Sequence, residues 1–229
     1  MFLRSCLLYV ILSFLWVNEN PALAQDSAAR KKMDSLGIND LQYLRKMSGM
    51  VKDMEEQLNI TAENMAERVT LVKPAAYDLP DTNISVVKVP YADDLNSALF
   101  SYAHTLYNAV HVPALKKLVY KAKQHKINKT AFADSLSMME AKAVYNTILT
   151  GLETGTTMEL PYPPSLINAV IDKVKRRINT ATALYMAYNF VRQQAKDANG
   201  VLLYDVFIAY YQKVTTLSII PGPAPQASK

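Results

Sequence analysis

Cysteine is all but missing. The single one, Cys6, stands ahead of an apolar run that a lipobox cysteine would have to follow. A chain that sheds this segment has no thiol. It forms no disulfide, binds no zinc through thiolates and has no cysteine nucleophile. Small exported domains lean on disulfides because their cores are small, whereas a chain of about 200 residues buries enough apolar surface without them. Glycine is scarce too, with six in 229 residues. Each glycine costs about 1 kcal/mol in a helix interior, so the scarcity favours helix. Also missing are the metalloprotease His-Glu-x-x-His, the di-iron Glu-x-x-His, the hydrolase Gly-x-Ser-x-Gly and any glycine-rich phosphate loop. Zincin, di-iron and nucleotide-loop chemistry therefore have no support, and no catalytic residue, metal ligand or cofactor is assigned.

What is present begins with an export signal. Arg4 supplies a positive start, Leu7–Val17 is an apolar run broken only by Ser13, and Ala22-Leu23-Ala24 has the small-x-small pattern of a cleavage site. A membrane-spanning helix needs roughly 20 apolar residues, and no second long apolar stretch follows. Residues 1–24 are thus expected to be a cleaved signal peptide, leaving a periplasmic or extracellular protein without a transmembrane segment. Half of the residues are apolar and a fifth are charged, a globular balance. The net charge of +5 is modest, and export argues against nucleic acid as the partner.

Hydrophobic spacing then predicts an all-α bundle of five or six helices. After a polar leader at 25–38, Asn39 looks like an N-cap. Leu44, Met47, Val51, Met54 and Leu58 alternate spacings of three and four, a helix-packing seam of heptad type that serves either a bundle helix or a projecting coiled-coil arm. Pro74, Pro80 and Pro90 break the stretch 69–92 into a crossover with short β-like runs at 69–72 and 84–89, laid over the bundle or folded as a hairpin. A second helix runs from Asp93 to about Val110. Its polar stripe holds Ser97, Ser101, His104, Asn108 and His111. A third helix opens at Pro113, and a fourth is capped by Thr130 and ended by Gly151 or Gly155. A fifth runs about 30 residues from Pro163-Pro164, which is roughly 45 Å. Asn199-Gly200 turns into a last apolar run, 201–217, read as helix. The bundle domain spans 39–218, and prolines at 221, 223 and 225 mark a flexible tail, 219–229, expected to be disordered.

Few residues suggest a site. His104 and His111 lie seven residues apart, about 10 Å along a helix, too far to share one ion. They read as solvated. Asp172 with Arg176 reads as an i,i+4 support pair. Glu153 and Glu159 flank the loop 155–164 and suggest, at most, a hydrolase site near 153–162. Two basic clusters make a candidate patch for an anionic glycan, lipid or envelope polymer. One is Lys116, Lys117 and Lys121 with Lys123 and Lys126, and the other Lys173, Lys175, Arg176 and Arg177. By pattern, neither cluster is interleaved with exposed aromatics on the same stripe. Of thirteen tyrosines after residue 24, Tyr188 and Tyr204 are expected in the core. Together these features predict a non-catalytic envelope accessory or scaffold that works through a protein partner or self-association. A component of a secretion or conjugation apparatus and a binder of anionic polymer are the alternatives.

Overall fold

The computed structural model describes residues 44–72, 86–90, 95–155, 160, 162–197 and 199–216. The expected signal peptide, polar leader, Asn39 cap, Asp93 cap and C-terminal tail lie outside the described residues. The chain is an all-α helical bundle. In order, the elements are α1 (Gly49–Gln57), α2 (Met65–Arg68), β1 (Val69–Val72), β2 (Val87–Pro90), α3 (Leu95–Val110), α4 (Val112–Lys123), α5 (Lys129–Thr154), α6 (Pro164–Val174), α7 (Thr180–Gln193) and α8 (Leu203–Thr216).

Helix α5 is the axis of the bundle. It packs against α3, α7 and α8 most closely and against α4 and α6 as well. Phe132, Ala133, Leu136, Ala141, Val144 and Ile148 are all buried along it. A helix surrounded on most sides needs no single apolar stripe. This is why its sequence periodicity drifts out of phase after Ala143. The cap is Asn128, whose Oδ1 accepts from the Ala131 N–H at 2.9 Å, and not the expected Thr130. The helix ends at Gly155, which takes the left-handed conformation (φ 76°) open to glycine.

The apolar residues divide into two clusters that share α3. The larger gathers Phe100 with residues of α4 to α8. The smaller joins Leu44, Val51, Met54, Ile60 and Met65 to Val69, Val87 and Val89 and to Leu99, Tyr102 and Leu106 of α3. The predicted heptad seam therefore packs inside the molecule. Leu44, Val51 and Met54 are buried and Leu58 is partly so, but Met47 is 43% exposed. The seam is interrupted at Ser48, whose hydroxyl caps α1 by accepting from the Val51 N–H at 3.2 Å. Strands β1 and β2 pair in parallel, Val69 opposite Val87 and Val72 opposite Pro90. Hairpin strands run antiparallel, so the hairpin expectation fails. In the second β-like run the described strand is 87–90, and residues 84 and 85 lie outside the described residues.

The largest departure concerns the predicted 45 Å helix, which is two helices. Helix α6 stops at Lys175, and Arg176 turns into the left-handed region (φ 59°). The Arg177 N–H then reaches the Asp172 carbonyl (2.7 Å) and the Arg176 N–H reaches Lys173 (2.9 Å). These are the two bonds of a Schellman stop. Asn179 restarts the chain by capping α7 through Thr182 N–H, so α6 and α7 fold back and pack on each other. The same stop recurs at His125 (φ 52°) after α4 and at Asn59 (φ 56°) after α1. A β-carbon in this region costs roughly 1–2 kcal/mol. Arg176→Gly should therefore raise the unfolding free energy by about 1 kcal/mol. Urea denaturation measures this, and a destabilised variant would mean that the stop does not hold the α6–α7 corner.

Candidate functional site: a buried polar seam between α3 and α5

Three residues of the polar stripe of α3 do not face water. Ser101, His104, Thr105 and Asn108 are all buried, which overturns the reading of His104 as solvated. The partner stripe on α5 is Ser137, Glu140 and Thr147, spaced by three and seven residues and likewise buried. Where the stripes meet, His104 Nε2 lies 2.8 Å from Glu140 Oε1, and both side chains have almost no solvent contact. The Thr147 hydroxyl donates to the Ala143 carbonyl at 2.8 Å, which leaves its oxygen facing His104 Nδ1 at 3.4 Å. Tyr162, brought back after α5, is buried beside this group and meets Phe190 edge to face at 6.1 Å. Burial first, and the Glu140 charge second, push its phenol well above the ordinary value. His111, one turn beyond the seam, is half-buried. Its ring stacks on Tyr107 at 4.2 Å and its Nδ1–H donates to the Tyr107 carbonyl.

A second buried carboxylate ties the smaller cluster to α3. Glu55 accepts from the Tyr102 hydroxyl at 2.6 Å and pairs with Arg45 Nε at 2.9 Å. Nearby, the Ser48 hydroxyl donates to the Glu153 carboxylate at the end of α5. Burial raises the Glu55 carboxyl above its ordinary 4.5, against the opposing pull of Tyr102 and Arg45. The sign of a pH effect follows. A raised folded value means that Glu55 contributes most to stability below the unfolded value of 4.5. That contribution is lost as pH rises through the folded value. Relative to Glu55→Gln, the wild-type urea midpoint should fall as pH rises from 4.5 toward neutrality. A constant difference would contradict a buried, charge-averse Glu55.

These groups include an imidazole, two carboxylates, hydroxyls and a phenol, which are the parts of acid–base chemistry. General acid–base catalysis needs a reacting group within hydrogen-bond reach of the side chain. His104 and Glu140 reach one another inside the core. Among the described residues no three His, Cys, Asp or Glu side chains are placed to hold a metal ion. Glu153 sits at the surface bound to Ser48, Tyr162 is buried, and Glu159 lies outside the described residues.

No protein-family model, characterised protein or solved structure matches this chain.

The basic residues singled out by sequence sit on two different helices. Lys116, Lys117 and Lys121 are exposed on α4, which packs on α3, α5 and α8. Lys175, Arg176 and Arg177 are exposed at the α6–α7 corner, while Lys173 is partly covered with its ammonium 5.9 Å from the Tyr145 ring centre. Asp172 pairs with Arg177 (3.3 Å) and not with the expected Arg176, because the left-handed turn at Arg176 brings Arg177 back over the helix end. The α4 cluster does contain an exposed aromatic, Tyr120, contrary to expectation.

Sequence reasoning missed a surface cluster on α7. Tyr188 and Tyr204 pack partly on the core, as expected, but their rings flank Arg192, whose guanidinium lies 5.9 and 4.9 Å from the two ring centres. Asp134 of α5 accepts from the Tyr188 hydroxyl at 2.9 Å and faces Arg192 Nε at 3.6 Å. Tyr185 stacks beside Tyr188 at 6.5 Å and is 62% exposed, next to the exposed Met186. The spacing Tyr185, Tyr188, Arg192 on one helix was the available signal.

Proposed function

We propose that this chain is an exported, non-catalytic helical protein that serves as an accessory or scaffold of a bacterial envelope through protein–protein contact. The observation that carries the reading is the outer face of α7. Tyrosine and arginine dominate the energetics of protein interfaces, where rigid rings bury much area at low entropy cost. Here α7 presents Tyr185, Met186 and Arg192 outward, with the part-buried rings of Tyr188 and of Tyr204 from α8 on either side of Arg192. Further support comes from the core. Its buried Glu, Asp and His side chains, Glu55, His104, Glu140 and Asp197, are engaged with neighbours inside the fold. Among the described residues no helix is long and apolar enough to cross a membrane.

Crosslinking in the native host tests this reading. Wild-type protein should give a discrete complex, hetero-oligomeric or self-associated, and Tyr185→Arg with Met186→Arg should abolish it while circular dichroism stays unchanged. Monomeric wild-type protein without a crosslinked complex would overturn the proposal.

A further inference from the structure

The excess positive charge of the whole chain sits on one short stretch. From Leu95 to Ala133 there is no aspartate or glutamate, and within it lie Lys116, Lys117, Lys121, Lys123, Lys126 and Lys129. With these six set aside, 19 of the 25 basic residues remain against 20 acidic ones, so the rest of the chain is near neutral. All six lysines are exposed, and no ion pair among the described residues involves them. The next acid along the chain, Asp134, is taken by Tyr188 and Arg192.

Helix α4 orders this charge. Leu115, Leu118 and Ala122 anchor one side in the core. At 3.6 residues per turn, Tyr120 falls near the middle of the opposite side, with Lys116 and Lys123 to its left and Lys117 and Lys121 to its right. Tyr120 is 60% exposed. The result is an outward helix face of lysines around one amphipathic ring.

We infer that the α4 face docks the protein on an anionic phospholipid surface. Three features select lipid over an acidic protein. Protein interfaces are depleted in lysine and enriched in arginine, and this face has lysine alone. Lysine is a hydrated point charge suited to diffuse headgroup charge, whereas arginine would signal bidentate capture. Tyrosine is a residue of the membrane–water interface, where its ring lies at headgroup depth. Clustered lysines near an anionic leaflet each add attraction that decays within a Debye length. The α7 contact plays no part in this inference.

The test is sedimentation of the full-length protein, in the form its host leaves it, with vesicles of phosphatidylcholine alone or mixed with phosphatidylglycerol. Binding should require phosphatidylglycerol and weaken with added salt. Lys116→Glu with Lys117→Glu should weaken it by at least about tenfold. Lys175→Glu with Arg177→Glu, at the other basic cluster, should leave it unchanged, and circular dichroism should show every variant folded. Lys121→Gln with Lys123→Gln gives a milder second variant that should weaken binding in the same direction. Equal binding to both vesicle types, no binding at low salt, or equal loss in the two reversal pairs would each overturn the inference. So would polyglutamate competing as well as the mixed vesicles, since the occupant would then be an acidic polypeptide.

Discussion

Glu140→Ala should destabilise the protein by about 3 kcal/mol, because it strands the His104 imidazole in the core without its polar partner and leaves a cavity. For a chain of this size that corresponds to a fall in Tm on the order of 10 °C. The loss measures the cost of an unpaired buried group more than the worth of the pair itself. Replacing both partners should therefore restore most of it. His104→Leu with Glu140→Leu removes two polar groups together and fills the gap with apolar volume, a change that is often neutral or stabilising for buried pairs. A double-mutant cycle by urea unfolding reads the coupling directly. Additive losses in the double variant would show that His104 and Glu140 do not depend on each other.

Phe132→Ala should cost a similar amount, about 3–5 kcal/mol, for a different reason. Phe132 is completely buried near the start of α5 and meets Tyr210 and Tyr211 of α8 edge to face, each at 5.5 Å. Removing the ring loses its transfer energy and leaves a cavity that two stacked helices cannot close, while the Tyr211 hydroxyl still bonds the Ile127 carbonyl at 2.9 Å. Tyr185→Ala is the control. It deletes an aromatic of similar size from the surface and should change stability by less than about 0.5 kcal/mol. If Phe132→Ala and Tyr185→Ala cost the same, the α5–α8 junction is not a packed core.

The helical fold was legible because amphipathic spacing is a local signal. Leu115, Leu118 and Ala122 mark α4 in the sequence as clearly as in the structure. Two things were not legible. The first was the break in the long predicted helix, because Arg176 occupies a conformation that its side chain disfavours and only tertiary packing of α6 on α7 compensates. Asn179 three residues later was the only local hint. The second was the buried seam. A polar stripe such as Ser101, His104 and Asn108 normally faces water, and only the approach of Glu140 and Thr147 of a distant helix gives His104 polar neighbours in the core. Pairing between distant helices is not encoded in either stripe alone. The basic face was half legible. The lysines were plain, but the exposure of Tyr120 at their centre depends on which side of α4 meets the core.

In the proposed reading, buried side chains such as His104 and Glu140 hold the fold together, and the outer face of α7 makes the contacts. The His104→Leu/Glu140→Leu protein tests it most directly, expressed in the native host and crosslinked beside wild type. This variant should fold and enter the same complex in the same amount. A folded double variant that fails to form the complex, while Tyr185→Arg with Met186→Arg still forms it, would overturn that reading.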